Sequence, residues 1–227
     1  RKGSKGIKNK NLKKIKNKSL VELAVDKVKN IKKIHKVFCS SDDEKIMKIC
    51  KKNKIHFIKR PKKFCMDGSS SFDVVKHFAS YLKKNNIMMP YIILLIQPTS
   101  PFLKKKTILD VIDLYKTKRL ANSINSFVEV DHKFNINNFA KIKNKKVIYI
   151  NRKNREKSKP RQKNEKYFAH GNLHSFKLVP ALKSKHLIPK PTYSVILKDK
   201  FESIDIDDKY DLFLSRLIQK NLKKNDL

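Results

Sequence analysis

The chain has 227 residues, of which 39% are hydrophobic, and 56 Lys and Arg against 20 Asp and Glu give a formal net charge of +36. This length suits one α/β domain with a small additional lobe, and no stretch approaches the roughly 20 apolar residues of a membrane-spanning helix. The three cysteines lack Cys-x-x-Cys spacing, which argues against a disulfide framework or a structural zinc site. We therefore expect a cytoplasmic protein without a membrane partner.

The positive charge allows two interpretations. It is typical of nucleic-acid-binding proteins, but Lys greatly outnumbers Arg and is spread over nearly every polar stretch, together with Asn and Ile. We therefore favour a general bias of surface composition and expect no specific nucleic-acid partner. The alternative is a basic α/β protein that binds nucleic acid non-specifically.

The first feature in chain order is a basic loop with two glycines, Arg1-Lys2-Gly3-Ser4-Lys5-Gly6-Ile7-Lys8-Asn9-Lys10-Asn11. Glycines let the backbone turn tightly and present its N–H groups, so this loop suits the phosphates of a nucleotide. The other interpretation is a lysine-rich terminus without a ligand. Because phosphate loops of this kind usually follow a buried strand, we expect the first strand of the sheet to be missing from this sequence.

Short apolar strands then alternate with amphipathic helices. The spacing of apolar residues predicts strands over 37–40, 56–58 and 91–97, and helices over 19–29, 71–84, 107–115 and a stretch capped by Ser41 or Asp42. Strands separated by helices of about ten residues predict a doubly wound, mostly parallel sheet.

After Ala121 the pattern is richer in strands. It predicts strands over 123–130, 167–176, 194–197 and 203–206, a hairpin of 139–142 with 147–150, a mobile basic loop over 151–166 and a last helix over 210–222. We treat residues 1–227 as one domain.

The turn Gln97-Pro98-Thr99-Ser100-Pro101 follows the most apolar of the predicted strands. Ligands of open α/β sheets bind at the carboxyl ends of strands, although a plain strand-to-helix turn would have a similar composition.

The second polar segment, Ser203-Ile204-Asp205-Ile206-Asp207-Asp208, contains alternating aspartates. In a strand, Asp205 and Asp207 would share one face about 7 Å apart, where they could hold Mg²⁺ together with substrate phosphates. The alternative is that Asp207 or Asp208 caps the last helix while Asp205 faces solvent.

Two further groups are less specific. Arg60 could contact a phosphate or a base, whereas the serines of the Asp67–Asp73 stretch are more simply interpreted as a helix cap. His170 and His174 share a face of a predicted strand, and without a third ligand we interpret them as structural or substrate-contacting residues.

Taken together, these segments resemble the acylneuraminate cytidylyltransferases, the family of CMP-sialic acid synthetases. The resemblance covers nearly the whole chain and rests on five motifs in order: the loop Arg1–Asn11, Ser40-Ser41-Asp42-Asp43-Glu44, Arg60-Pro61 with Asp67–Asp73, Gln97–Pro101 and Ser203–Asp211. The sister family that acts on 3-deoxy-manno-octulosonate has a different first loop, and it is the alternative among cytidylyltransferases.

The resemblance implies a three-layer Rossmann-like nucleotidyltransferase fold with a mostly parallel sheet and, over about 122–174, a small dimerisation lobe that reaches into the partner's site. It implies a homodimer that uses CTP and a nonulosonic acid, with Mg²⁺ as cofactor, to make a CMP-sugar and pyrophosphate for surface glycans.

The resemblance also assigns roles to residues. It implies that the catalytic residues are Arg1, Lys5, Asp205 and Asp207, with Mg²⁺ on the two aspartates. It implies nucleotide contacts from Arg1, Gly3, Ser4, Lys5, Lys10, Asn11, Arg60, Ser70 and Ser71. Sugar contacts would come from Gln97, Thr99, Ser100, Arg161 and Gln162.

Three departures from the family pattern concern the region of the sugar. Leu103 replaces an Arg, for which Lys104 could substitute only as a point charge. His170-Gly171 stands in place of Asn-Gly, and the Arg161-Gln162 segment lacks its usual Asp-Leu-Pro.

Overall fold

A computed structural model of the chain describes residues 6–66, 68–156 and 165–222. Its helices are α1 (Leu20–Val28), α2 (Glu44–Lys52), α3 (Ser71–Lys84), α4 (Lys105–Thr117), α5 (Arg152–Glu156), α6 (Leu178–Ser184) and α7 (Lys209–Asn221). Its strands are β1 (Lys14–Ile15), β2 (Lys18–Ser19), β3 (Phe38–Ser41), β4 (His56–Lys59), β5 (Ile92–Ile96), β6 (Ser123–Glu129), β7 (Ala140–Lys143), β8 (Lys146–Tyr149), β9 (Phe168–Lys177) and β10 (Thr192–Leu197). Within those ranges, none of the helices has the length and apolar character needed to cross a bilayer.

The main sheet has the strand order β10-β6-β9-β5. Strands β10 and β6 are parallel, and β9 runs antiparallel to both β6 and β5, so three of the four strands share one direction. Strands β3 and β4 form a separate parallel pair joined through α2. Among the described residues, β3 and β5 each have one edge without a paired strand. The predicted α/β fold with a mostly parallel sheet is confirmed.

Helices cover both faces of the main sheet. On one face, Ile108 and Val111 of α4 pack with Ile124 of β6 and Leu173 of β9. On the other face, α3 and α6 pack against Phe176, which is fully buried. Burying a large apolar side chain stabilises a fold by about 1.5–3 kcal/mol, so these two clusters hold the three layers together.

The predicted hairpin is confirmed as β7 and β8, which pair antiparallel. Asn144 and Lys145 between them have φ values of 48° and 64°, as a two-residue hairpin turn of the I′ type requires. The predicted helix over 71–84 matches α3 at both ends.

Three sequence predictions are wrong in detail. Helix α2 is capped by Asp43, whose carboxylate accepts a hydrogen bond from Lys45 N–H at 2.8 Å, because β3 continues through Ser41. The segment predicted as a basic loop over 151–166 begins with the short helix α5. The strand predicted over 203–206 is instead the end of a 3-10 turn followed by extended chain outside any sheet.

Candidate active site

The basic loop packs directly against Ser203–Asp208, which we call the acidic segment. A β-carbon placed on Gly6 would lie 2.4 Å from the carbonyl oxygen of Asp207. Ile7 is 4% exposed and belongs to the same buried cluster as Ile206. Glycine is therefore required for this close approach, and the apolar residue after it anchors the loop.

An ion pair also joins the loop to the acidic segment. Lys10 Nζ lies 3.0 Å from Asp207 Oδ1, and the two side chains are 14% and 78% exposed. The cap of α7 is the next residue, Asp208, whose Oδ1 accepts hydrogen bonds from the N–H groups of Tyr210 and Asp211. Asp207 is therefore not the helix cap, and its carboxylate contacts the basic loop.

Asp205 is half-buried. Its Oδ1 is buried and has no hydrogen-bond partner among the residues that the structure describes. Burial of a carboxylate oxygen without a partner is unfavourable, and a cation beside it would compensate. The alternative interpretation is therefore right that Asp208 caps the last helix but wrong that Asp205 simply faces solvent.

The donor set near Asp205 and Asp207 fits Mg²⁺ better than a metal held by the protein alone. Within the described ranges, no group of three or more His, Cys, Asp or Glu side chains is arranged to hold a metal ion. Mg²⁺ is usually bound by one or two carboxylates, with water and substrate phosphates completing its shell.

The turn Gln97–Pro101, which we call the polar turn, follows β5 and lies beside the acidic segment. The Ile206 N–H donates to the Thr99 carbonyl oxygen at 2.9 Å. Thr99 and Ser100 are 8% and 2% exposed, and the Ser100 hydroxyl has no hydrogen-bond partner in the described part of the chain. Gln97 is half-buried. The two segments singled out in the sequence therefore meet.

Side chains, not a neighbouring strand, hold the start of the acidic segment. Asn172 on β9 donates from Nδ2 to the carbonyl oxygens of Glu202 (3.2 Å) and Ile204 (2.9 Å). Glu202 is 5% exposed, and its carboxylate accepts hydrogen bonds from Lys104 N–H (2.9 Å) and the Thr107 hydroxyl (2.6 Å). Its negative charge thereby lies at the N-terminus of α4, the favourable end of the helix dipole. Sequence reasoning did not identify Glu202.

Leu103, which departs from the family pattern, is 2% exposed and packs in the core with α4. The next residue, Lys104, places its ammonium nitrogen 2.9 Å from Asp199 Oδ2. The side chain at position 103 is thus part of the core, and the adjacent positive charge is paired.

The candidate nucleotide residues farther along the chain have clear structural contacts. Arg60 donates from Nε to the Ser40 hydroxyl (3.1 Å) and from Nη2 to the Ser40 carbonyl oxygen (2.6 Å), at the carboxyl end of β3. Ser70 caps α3 in a reciprocal pair with Asp73, which confirms the helix-cap interpretation. Ser71 is the exposed first residue of the helix.

His170 and His174 lie on β9, with ring centroids 5.6 Å apart. The ring of Phe127 lies 4.4 Å from that of His170. Burial lowers the pKa of His174, and the neighbouring His170 lowers it further. A neutral His174 at pH 7 agrees with the structural or substrate-contacting role predicted for this pair.

Lys10 and Asn11 form a 3-10 turn with Leu12. The remaining predicted site residues lie outside the described residues: Arg1, Gly3, Ser4, Lys5, Arg161 and Gln162, as does Asp67.

Comparisons with known proteins agree with the fold and identify a family. The cytidylyltransferase family model matches residues 1–191. The N-acylneuraminate cytidylyltransferase of Escherichia coli O18:K1:H7 (strain RS218 / NMEC) is 28% identical over 251 residues, which cover 100% of this chain and 52% of the relative. The chain thus spans about half the length of this curated relative.

Solved structures with low sequence identity share the fold. A CMP:2-keto-3-deoxy-manno-octonic acid synthetase complexed with CTP superposes with a TM-score of 0.67 at 11% identity, over 97% of this chain and 96% of that one. A cytidylyltransferase from Leptospira borgpetersenii serovar Hardjo-bovis (strain JB197) gives 0.60 at 14% identity, over 100% and 86% of the two chains.

Proposed function

The chain belongs to the cytidylyltransferase family, and we propose that it transfers CMP from CTP to a nonulosonic acid, with Mg²⁺ as cofactor and pyrophosphate as the second product. The observation that carries this proposal is the contact between the basic loop and the acidic segment. It brings Lys10 within 3.0 Å of Asp207, next to the half-buried Asp205. A basic loop beside a segment that carries two aspartates is the arrangement that a metal–triphosphate substrate needs.

In this reaction the anomeric hydroxyl of the sugar attacks the α-phosphorus of CTP. A new bond forms between the sugar oxygen and phosphorus, the bond to the bridging oxygen breaks, and pyrophosphate leaves with the electron pair, while the hydroxyl proton passes to solvent. Bound Mg²⁺ would neutralise phosphate charge and polarise the α-phosphate.

The chain's own residues would supply positioning and charge. Asp205 and Asp207 would hold the metal, and Lys10 would balance charge on the triphosphate. Gln97 and the hydroxyl of Ser100 would orient the sugar from the polar turn. The Ser100 hydroxyl and Asp205 Oδ1, both buried and without partners among the described residues, are polar atoms that a bound substrate would satisfy.

The choice of a nonulosonic acid rests on sequence. The relative that covers the whole chain is an N-acylneuraminate cytidylyltransferase, whereas the octonic acid synthetase is similar in fold at 11% identity. Transfer to 3-deoxy-manno-octulosonate is therefore the second candidate, and it requires the same CTP and metal sites. A cytoplasmic location and a role in surface glycan synthesis belong to the same proposal.

Pyrophosphate release from CTP tests the proposal when it is measured with neuraminic, legionaminic, pseudaminic and 3-deoxy-manno-octulosonic acids in separate reactions. We expect turnover with at least one nonulosonic acid and dependence on Mg²⁺. Turnover with the octulosonic acid alone would establish the second candidate. No turnover with any acid, together with tight RNA binding above about 200 mM salt, would favour the nucleic-acid alternative.

Asp207→Asn tests whether the carboxylate of Asp207 is needed for turnover or only for the structure. We expect this variant to lose turnover and Mg²⁺ dependence while retaining its unfolding midpoint. Asp208→Asn is the matched control, because Asn is also a good helix N-cap and the described hydrogen bonds of the Asp208 carboxylate come from the backbone N–H groups of Tyr210 and Asp211. Equal activity of both variants would remove Asp207 from the proposed site.

The same proposal includes a homodimer formed through the lobe around β7 and β8. Its exposed side chains are unusually apolar: Phe139 is 47% exposed, Ile142 68%, Val147 55%, Ile148 52% and Ile150 59%. By the pairing of β7 with β8, Ile142 and Val147 lie on one face of the hairpin, and Phe139, Ile148 and Ile150 lie on the other. Exposed apolar side chains on a protein this highly charged are typical of an interface. A second copy of the chain is the partner that the family resemblance implies.

A further inference from the structure

Lys27 is a lysine whose side chain is directed inward, on the core-facing part of α1. Its ammonium group donates hydrogen bonds to the carbonyl oxygens of Ser100 (2.7 Å) and Pro101 (2.6 Å), both in the polar turn. Helix α1 is itself fixed, because Val25 and Val28 on either side of Lys27 are buried and pack in two different core clusters. Lys27 therefore ties the polar turn to a rigid element.

The polar turn is bound on its other side by the acidic segment. The hydrogen bond from Ile206 N–H to the Thr99 carbonyl oxygen joins the two backbones at 2.9 Å. Ile206 lies between Asp205 and Asp207 in the sequence. A displacement of the turn would therefore be passed directly to both aspartates.

The pKa of Lys27 and the nearby charge of Glu202 agree with a structural role for the Lys27 ammonium group. Burial lowers the pKa of Lys27 to about 7, while the negative charge of Glu202 acts in the opposite direction. Glu202 is itself fixed to the N-terminus of α4 and immediately precedes the acidic segment. Partial burial of an ammonium group is unfavourable unless its hydrogen bonds are made, and both described hydrogen bonds of Lys27 are made to carbonyl oxygens.

We propose that Lys27 is a positioning residue, which fixes the polar turn and, through it, the acidic segment. It contacts no reacting atom in this proposal. It keeps the sugar-side residues of the turn and the two aspartates in one relative geometry, and small displacements of such groups reduce turnover strongly. The expected effect of Lys27 on turnover rests on the proposed function, whereas its expected effect on the structure of the polar turn and the acidic segment does not.

Lys27→Met tests the proposal, since Met preserves an apolar unbranched side chain and removes the N–H donors. Hydrogen–deuterium exchange measures the structural consequence without any substrate. We expect exchange of the Ile206 amide to accelerate at least about tenfold, the loss expected for one charge-assisted hydrogen bond. Exchange in α2 should not change.

Lys29→Met is the matched control. Lys29 lies one residue beyond the end of α1 and pairs with Asp26 at 2.5 Å, away from the polar turn. We expect this variant to have wild-type exchange and wild-type kinetics.

The kinetic prediction for Lys27→Met is a split between parameters. We expect kcat to fall at least about tenfold and the Mg²⁺ midpoint to rise, while KM for CTP changes less than about threefold. Uniform loss of stability would not produce that split. If Lys27→Met does not fold, Lys27→Gln replaces it in the same measurements. Gln retains a neutral N–H donor, but on a shorter side chain, and we expect changes in the same direction as for Lys27→Met.

Wild-type exchange at Ile206 in the folded variant would overturn the proposal, as would unchanged kcat in an enzyme shown to be active. If the wild-type chain transfers no CMP at all, the proposed function fails and exchange alone decides the positioning role. Faster exchange confined to the polar turn and the acidic segment would still support it.

Discussion

Gly6→Ala is the most direct perturbation of the contact between the basic loop and the acidic segment. The new β-carbon would lie 2.4 Å from the Asp207 carbonyl oxygen, 3.5 Å from its carbonyl carbon and 3.7 Å from Asp208 Cα. Ordinary contact begins near 3.4 Å, so one backbone must move by about 1 Å. The acidic segment resists this movement, because the Asp207 N–H donates to Asp211 Oδ2 at 2.9 Å.

The magnitude follows from that displacement. Overpacking of this kind destabilises a protein by about 1–3 kcal/mol. A misplacement of about 1 Å between catalytic groups lowers turnover by about 100-fold. We therefore expect Gly6→Ala to lose far more activity than stability, since the loop can move away from the aspartates while the rest of the core stays folded.

Pyrophosphate release at saturating CTP, sugar acid and Mg²⁺ measures the loss of activity, and urea unfolding measures the loss of stability. Gly68→Ala is the matched glycine substitution, because a β-carbon at Gly68 meets no atom within 4 Å among the described residues beyond its chain neighbours. It should keep activity and stability within about twofold and 0.5 kcal/mol of the wild type. Wild-type turnover of Gly6→Ala would refute the inference that loop and acidic segment must be in close contact.

The sequence predicted the helices most accurately where local signals agree. Helix α3 was predicted at both ends because its apolar stripe and its capping pair, Ser70 with Asp73, are all within one stretch of chain. The strand predicted over 203–206 failed because alternating apolar and acidic residues fit any extended segment. Whether such a segment joins a sheet depends on neighbours far away in the sequence, here Asn172 and the polar turn.

Part of the site could be predicted because its residues lie in short stretches of sequence. Gln97, Asp205 and Asp207 belong to short motifs that are visible without a structure. Lys27 and Glu202 do not, because their contacts reach 73 and 98 residues along the chain. In a chain with 56 Lys and Arg, nothing local distinguishes Lys27, which binds the polar turn, from the lysines that face solvent.

Three other predictions follow from separate features. Asp208→Ala removes the N-cap of α7 and should lower the free energy of unfolding by about 1–2 kcal/mol in urea, whereas an unchanged value would show that the capping box with Asp211 is dispensable. The unfolded chain keeps the Lys27 proton up to 10.5, while the folded chain releases it above about 7. Stability should therefore rise with pH between these values, and Lys27→Met should lose that rise in pH-dependent urea unfolding. Ile148→Asp should convert a dimer into a monomer by light scattering, while a dimer that persists would place the interface elsewhere.

The aspartates of the acidic segment and the start of α7 have different roles, which explains why acidic residues cluster there in so basic a chain. Asp208 and Asp211 satisfy the N–H groups at the start of α7 and fix the backbone, and in the proposed function it is Asp205 and Asp207 that would bind a cation. The pair between Lys10 and the exposed Asp207 is worth only about 0–1 kcal/mol, so a divalent ion can displace the ammonium group from the carboxylate at little cost. Lys10 would then be free to contact a phosphate while remaining within the basic loop. If the proposed function is right, substrate and metal would replace the ion pair between Lys10 and Asp207, whereas the Gly6 contact, the Asp208 cap and the hydrogen bonds to the polar turn would stay in place.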